Sequence, residues 1–316
     1  MRINIFLEDS NMPRTIFWQN ILDAISELAD AEIDSSEIFI PAEDLAMETN
    51  WPRYGRGLSA YIRGDPHSLV AGSITMNYFD RVLQSAESNP GRNILLINMH
   101  PFFRVPLITR KYINIFTADV SLSMFERCCN KNTISMPALP IDAGNGGVVG
   151  VRKTNVFFQG VGSHLVRDRL RALNNENDIV INLVQKSIHN ELKLDAITGV
   201  KDNSYSNALK ESNFAIVPRG DALFSYRLLE VMSYGCIPVI ISDGWVLPFD
   251  RQVNWPKIAF TIHEEMLLNY IPFLRNITQS EILEKQKLVM EIYEKYFRDL
   301  REMLKTVISE IKIIQS

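Results

Sequence analysis

The sequence predicts an α/β fold in two halves, and three observations carry that prediction. Apolar runs of strand length recur, each followed by a polar or glycine-bearing turn and then a helical stretch. The runs are continuous rather than alternating, as parallel strands covered on both faces require. A proline- and glycine-rich interval near 133–152 separates two stretches of similar size, each opening with a strand. Two Rossmann-like domains facing a cleft satisfy all three.

Taken in order, Ile3 to Leu7 reads as the first strand, and Thr15 to Leu28 as a helix that covers it. The N-terminus lacks the basic, apolar, then small-residue layout of a signal peptide. Ile94 to Met99 is a further strand. The segment Met136-Pro-Ala-Leu-Pro-Ile-Asp-Ala-Gly-Asn-Gly-Gly147 holds two prolines and three glycines and has neither period, so it reads as a flexible interdomain link. Gly144 to Gly150 formally matches a dinucleotide-binding glycine loop, but that motif has meaning only between a strand and a helix. The second half opens with Val156 to Phe158, followed by a helix over Leu165 to Leu173. Phe214 to Val217 and Ile237 to Ile241 are its other strands. From Ser280 the apolar residues Ile282, Leu283, Leu288, Val289, Ile292, Tyr293, Tyr296 and Phe297 recur at three and four, the stripe of one long helix or two. The expected division is 1–148, 149–279 and a helical segment 280–316.

Composition narrows the class. The 316 residues are 46% hydrophobic and 22% charged with a net charge of −4, and no apolar run approaches the ~18 residues of a membrane span. An acidic balance disfavours a nucleic-acid partner. Three cysteines, Cys128, Cys129 and Cys236, without a C-x-x-C pair, point to a reducing compartment and away from structural zinc.

Chemistry concentrates between Asn213 and Trp245. A strand over Phe214 to Val217 leads through Arg219-Gly220 into a helix from about Tyr226, with Ser225 as its N-cap and Gly235 as its C′ residue. A helix that starts at the carboxyl end of a parallel strand aims unpaired N–H groups at the cleft, where an anion binds. Arg219 precedes that helix and Arg227 lies in its first turn, both placed to reach a diphosphate. Glu230, three residues on, shares Arg227's face and suits a ribose diol. An ordinary surface ion pair is the alternative for Arg227 and Glu230. Gly160-Val-Gly-Ser163 forms a strand-to-helix turn with Ser163 as cap, either a backbone approach to phosphate or sugar or a purely structural turn. His164 beside it can contact donor or acceptor. Trp245 reads as packing against Pro248 and Phe249 rather than covering a ring.

These motifs resemble the exostosin family, glycosyltransferase family 47. Val217-Pro-Arg-Gly220, Ser225-Tyr-Arg-Leu-Leu-Glu230, Gly235-Cys-Ile-Pro-Val239, Ser242-Asp-Gly-Trp-Val-Leu-Pro-Phe249 and Asn254-Trp255 follow its order and spacing. Weaker similarity runs through Gly91-Arg-Asn-Ile94, where the family has histidine in place of Ile94, through Ser135-Met-Pro-Ala-Leu-Pro140, and through Phe157-Phe-Gln-Gly-Val-Gly-Ser163 with Arg167 following. The resemblance covers about 90–260, most closely 211–256.

The resemblance implies a GT-B fold and inverting transfer of a sugar from a UDP-sugar, which is a substrate, with no cofactor and no metal. The chain contains no D-x-D triplet. By the same resemblance 1–148 is the acceptor domain and 149–279 the donor domain. Arg219, Gly220, Ser225, Tyr226, Arg227 and Glu230 would bind the donor, joined by Gly160, Gly162, Ser163 and His164. The acceptor would be a hydroxyl of a surface or capsular glycan, or a glycolipid. Without a membrane anchor the expected location is the cytoplasm, with peripheral association at the inner membrane face left open. The displacement needs a general base from the first domain. Asp9, after the first strand, and His100, after Ile94 to Met99, are the candidates, with Asp65 and His67 behind them. The rival reading is a non-catalytic GT-B scaffold or glycan-binding subunit of a transferase complex, since fold does not settle function.

Overall fold

In the computed structural model of the chain the described residues are 3–6, 36–39, 88, 93–98, 114–117, 120, 133–138, 144, 147–173, 178–184, 203–220 and 222–315. They divide into two compact units. The first comprises 1–136, 246–249 and 299–316, and the second 137–245 and 250–298.

The first unit is built on a parallel five-stranded sheet: β1 Ile3–Phe6, β2 Ser36–Phe39, β3 Asn93–Asn98, β4 Asn114–Thr117 and β5 Thr133–Ser135. Its strands lie in sequence order, β1-β2-β3-β4-β5. Residues 246–249 join it through local pairing. The Ser135 Oγ donates to the Val246 carbonyl at 2.6 Å, and the Phe249 N–H donates to the Ser135 carbonyl at 2.8 Å. Phe249 is fully buried, with a φ of 51°.

The second unit also carries five parallel strands: β6 Thr154–Val161, β7 Ile179–Val184, β8 Ser212–Pro218, β9 Ile237–Ile241 and β10 Phe260–Thr261. Their spatial order is β10-β9-β8-β6-β7. Counted from the start of the unit this is the doubly wound order 2-1-3-4-5, whose direction reverses between β6 and β8. Every residue of β8 and β9 is buried, which explains why both read as unbroken apolar runs. Val156, Phe158, Phe214, Ile216, Val239 and Ile241 form the centre of the core. Each such side chain contributes about 1.5–3 kcal/mol by leaving water.

The connecting helices are α1 Leu165–Arg169, continued as a 3-10 turn over Leu170–Leu173, α2 Ser204–Lys210, α3 Arg227–Ser233 and α4 Trp255–Ile258. After β10 come α5 Leu267–Phe273, α6 Gln279–Tyr296 and α7 Leu300–Gln315. The expected 280–316 segment is thus two helices, of which α6 belongs to the second unit and α7 to the first. A reciprocal capping box starts α6: Thr278 Oγ1 accepts the Glu281 N–H and the Glu281 carboxylate accepts the Thr278 N–H. Its buried stripe, Ile282, Gln286, Val289 and Tyr293, contains one polar member. The Gln286 amide takes the Gly150 N–H at 3.0 Å and donates to Asn213 Oδ1 at 3.4 Å, so it is buried but paired.

The glycine-rich segment before β6, expected as a flexible link, is anchored at its described residues. The Gly144 N–H donates to Ser233 Oγ at 2.9 Å, and the Gly147 N–H to the Ser233 carbonyl at 3.2 Å. A Cβ on Gly147 would lie 2.4 Å from the Tyr234 carbonyl carbon. The glycines are there so that backbone can lie against the end of α3.

A candidate donor-nucleotide site on the second sheet

In an open parallel sheet the place where strand order reverses leaves a crevice at the carboxyl ends of the strands, and ligands bind there. In the second unit that point lies where β6 ends at Val161 and β8 ends at Pro218. Most of the residues expected to bind the donor gather at it.

Arg227 opens α3 and sits over β6. Its guanidinium carbon is 5.1 Å from the centre of the Phe158 ring, a cation–π contact. Gly160, two residues along the same strand face, leaves the room it needs: a Cβ there would lie 2.3 Å from Arg227 Nη2. Nε of Arg227 is buried and has no hydrogen-bond partner among the described residues. The guanidinium is therefore seated by ring and glycine while keeping donor capacity.

Arg219 follows β8 directly. Its N–H donates to the Ile241 carbonyl at 2.9 Å, which ties the loop to β9. Its guanidinium lies 3.8 Å from the Glu264 carboxylate, with both side chains mostly buried. Glu264 and Asp243 hold one another reciprocally, each carboxylate accepting the other's backbone N–H at 3.1 Å, and His263 Nδ1 lies 3.2 Å from Asp243 Oδ1.

Arg167, in α1, holds the strand ends together. It is buried, and it donates from Nε to the Arg219 carbonyl at 2.9 Å and from Nη1 to the Val161 carbonyl at 3.1 Å. Nη2 lies 3.4 Å from the Pro218 carbonyl. A planar fork reaching carbonyls on two strands is a task that lysine cannot match. Gly220 is closed in by the same group, since a Cβ there would lie 3.2 Å from Arg167 Nη2 and 3.4 Å from Ser163 Oγ.

Glu230, one turn into α3, is buried. The Tyr205 hydroxyl of α2 donates to its Oε2 at 2.9 Å, and the Tyr205 ring packs on Phe157 at 6.0 Å between centroids. Burial, with the Glu230 charge adding to it, pushes the Tyr205 phenol well above its ordinary value, so it remains a donor.

Two expected caps are corrected. Tyr226, not Ser225, is the N-cap of α3, because Ser225 and Phe224 are drawn into the interior ahead of the first turn. Ser225 contributes its carbonyl, which accepts the Leu228 N–H at 3.2 Å, while its buried hydroxyl has no partner among the described residues. Tyr226 is exposed and meets Phe224 edge-on. Likewise α1 is capped by His164, not Ser163: His164 Nδ1 accepts the Val166 N–H at 3.3 Å, leaving Ser163 exposed. Gly162 is exposed beside it, and a Cβ there would lie 2.6 Å from Asp168 Oδ1. With seven residues, α3 offers a short dipole, so the guanidinium groups are the principal cationic feature of this edge.

Gly235 ends α3 as expected. Its φ is 67°, its N–H donates to the Met232 carbonyl, and the Cys236 N–H reaches the Val231 carbonyl, the two bonds of a Schellman motif. Cys236 is fully buried with its thiol pushed up to about 12, and it donates to the Leu209 carbonyl. It is an inert core residue. Trp245 is buried, in keeping with packing. Asp9, His100, Asp65, His67, Cys128 and Cys129 lie outside the described residues. Sequence reasoning missed Tyr205 and Glu264 as partners of the expected donor residues. It named Arg167 only as part of a motif, and the one available signal was an arginine in the first turn of a helix beside a glycine turn.

Comparison with known proteins places the chain in a family. Residues 43–279 match the Exostosin GT47 domain. Exostosin-1 of Drosophila melanogaster is 30% identical over 162 residues, 49% of this chain and 21% of that protein. Exostosin-1 of Bos taurus is 32% identical over 171 residues, 52% of this chain and 22% of that protein. The chain thus covers about a fifth of the length of these curated relatives. Among solved structures, the apo form of the lipopolysaccharide outer core galactosyltransferase WaaB aligns with a TM-score of 0.49 at 13% identity, over 98% of this chain and 99% of that one. Among the described residues no helix is long and apolar enough to cross a membrane. With about three-quarters of its length in this one domain, the chain belongs to the exostosin GT47 family of glycosyltransferases.

Proposed function

We propose that this protein is an inverting, metal-independent glycosyltransferase that moves a sugar from a UDP-sugar to a hydroxyl of a surface or capsular glycan or glycolipid. The observation that carries the donor assignment is the seating of Arg227 on Phe158 and Gly160 at the switch point, with Arg219 at the end of the neighbouring strand. Arg227 and Arg219 hold the diphosphate, and Arg167 keeps the Arg219 loop in place. The buried Ser225 hydroxyl is a further donor for a phosphate oxygen. Gly160 and Gly220 serve the donor by making room for Arg227 and Arg167, Gly162 and Ser163 form the exposed turn beside it, Tyr226 and His164 flank it, and Glu230 takes the ribose diol.

Chemically the reaction is a displacement at the anomeric carbon, in which the acceptor oxygen bonds to carbon as the bond to the UDP oxygen breaks. Negative charge grows on the leaving diphosphate, and fixed guanidinium groups stabilise it most at that moment. Glu264 partly neutralises Arg219 beforehand and keeps it in place. The acceptor proton goes to a base from the first unit, for which Asp9 and His100 are the candidates.

Incubating the protein with UDP-sugars and glycan acceptors, and following the anomeric configuration by NMR, tests the reading. Transfer with inversion, unaffected by EDTA, is expected. Transfer with retention, or dependence on added metal, contradicts it. Asp9→Asn or His100→Gln is expected to reduce transfer about 10²-fold or more while UDP still binds. Near wild-type turnover in both variants removes both residues from the base role.

A further inference from the structure

Glu230 has a partner whose position is informative. α2 leads into β8 and α3 follows it, and both helices pack on that strand. Tyr205 lies in the first turn of α2 and Glu230 in the first turn of α3. Between them runs the 2.9 Å bond from the Tyr205 hydroxyl to Glu230 Oε2. The phenol ring is supported by Phe157 of β6, so its hydroxyl stands on a strand of the core rather than on a loop.

We propose that Tyr205 is a positioning residue for the nucleoside end of the donor, fixing the Glu230 carboxylate so that it meets the ribose diol in one orientation. The inference rests on the reading of Glu230 as the ribose acceptor. A buried carboxylate that loses one of its donors is held less firmly about its last bond, and a diol then meets it in a wider range of geometries. Tyr205 engages one oxygen and stays protonated across the physiological range, because burial and the adjacent carboxylate both disfavour the phenolate. The specificity that follows is for a nucleotide with a 2′-hydroxyl. A site built to hydrogen-bond a hydroxyl rejects the analogue that lacks it, because its own buried polar group is then left unpaired.

The test compares UDP with 2′-deoxy-UDP by calorimetry in the full chain, with pyrophosphate as a probe of the phosphate end. The wild-type protein is expected to prefer UDP by about tenfold or more, as loss of a hydrogen bond to a charged group implies. Tyr205→Phe keeps the ring on Phe157 and is expected to cut that preference below about threefold while pyrophosphate affinity changes less than about twofold. Tyr205→Phe/Glu230→Gln is expected to match Glu230→Gln alone, because Tyr205 acts through Glu230. A Tyr205→Phe variant that keeps the full preference, or a double variant in which the two losses add, overturns the role of Tyr205 and leaves Glu230's intact. A wild-type protein that does not distinguish the two nucleotides removes the ribose role of Glu230 itself, and this proposal with it. If Tyr205→Phe melts early, Tyr205→Met gives the same reading with a flexible apolar filler.

Discussion

At the scale of single residues, the candidate site depends on one glycine and one ring. Gly160 is needed because any Cβ would meet the Arg227 guanidinium, and Phe158 holds the same group by its face. Alanine fits a strand at least as well as glycine, so Gly160→Ala leaves the sheet intact and displaces the arginine. UDP affinity is expected to fall about tenfold, equivalent to one charge-assisted hydrogen bond, with the thermal midpoint within a few degrees of wild type. An unchanged affinity would mean that Arg227 does not hold the diphosphate. The placement of Arg219 after β8 and of Arg227 and Glu230 in the first turn of α3 was legible in the sequence because a strand, a loop and a helix start follow one another without interruption there. Tyr205 and Glu264 were not, since their partners lie 25 and 45 residues away and nothing local marks either contact. Asp9 and His100 rest on the sequence alone.

At the scale of elements, the longest apolar strands and the glycine that ends α3 could be read, and the N-caps could not. The runs at Phe214 to Val217 and Ile237 to Ile241 lie within β8 and β9, because strands buried on both faces leave no polar position to blur them. Ser225 and Ser163 are both good cap types, yet each stands one residue ahead of the true cap. Where a chain enters helical φ/ψ is decided by what its loop packs against, and the Ser242 hydroxyl holding the Leu223 carbonyl at 2.8 Å is a contact no cap pattern contains. The glycine segment departs from expectation for a related reason: glycine in a sequence suggests freedom, whereas here it permits contact. Gly147→Ala would drive its methyl group into the backbone at Tyr234, a collision that no rotamer relieves. A loss of about 1–3 kcal/mol in chemical denaturation is expected, as for overpacking elsewhere. A neutral result would show that this segment is not anchored on α3.

At the scale of the whole molecule, the two units share an architecture and differ in topology. The first sheet runs in sequence order, while the second reverses between β6 and β8, so among the described strands only the second has the switch point where nucleotides bind. The proposed donor role of the second unit rests on that asymmetry, and the proposed acceptor and base roles of the first rest on the sequence. Calorimetry of UDP against the wild-type chain and Arg227→Met, with GDP and NAD as controls, tests this most directly. Saturable UDP binding, weakened at least tenfold in Arg227→Met and not reproduced by GDP or NAD, is the predicted result. Folded protein that ignores UDP, or binds it equally well without the guanidinium, would contradict the account.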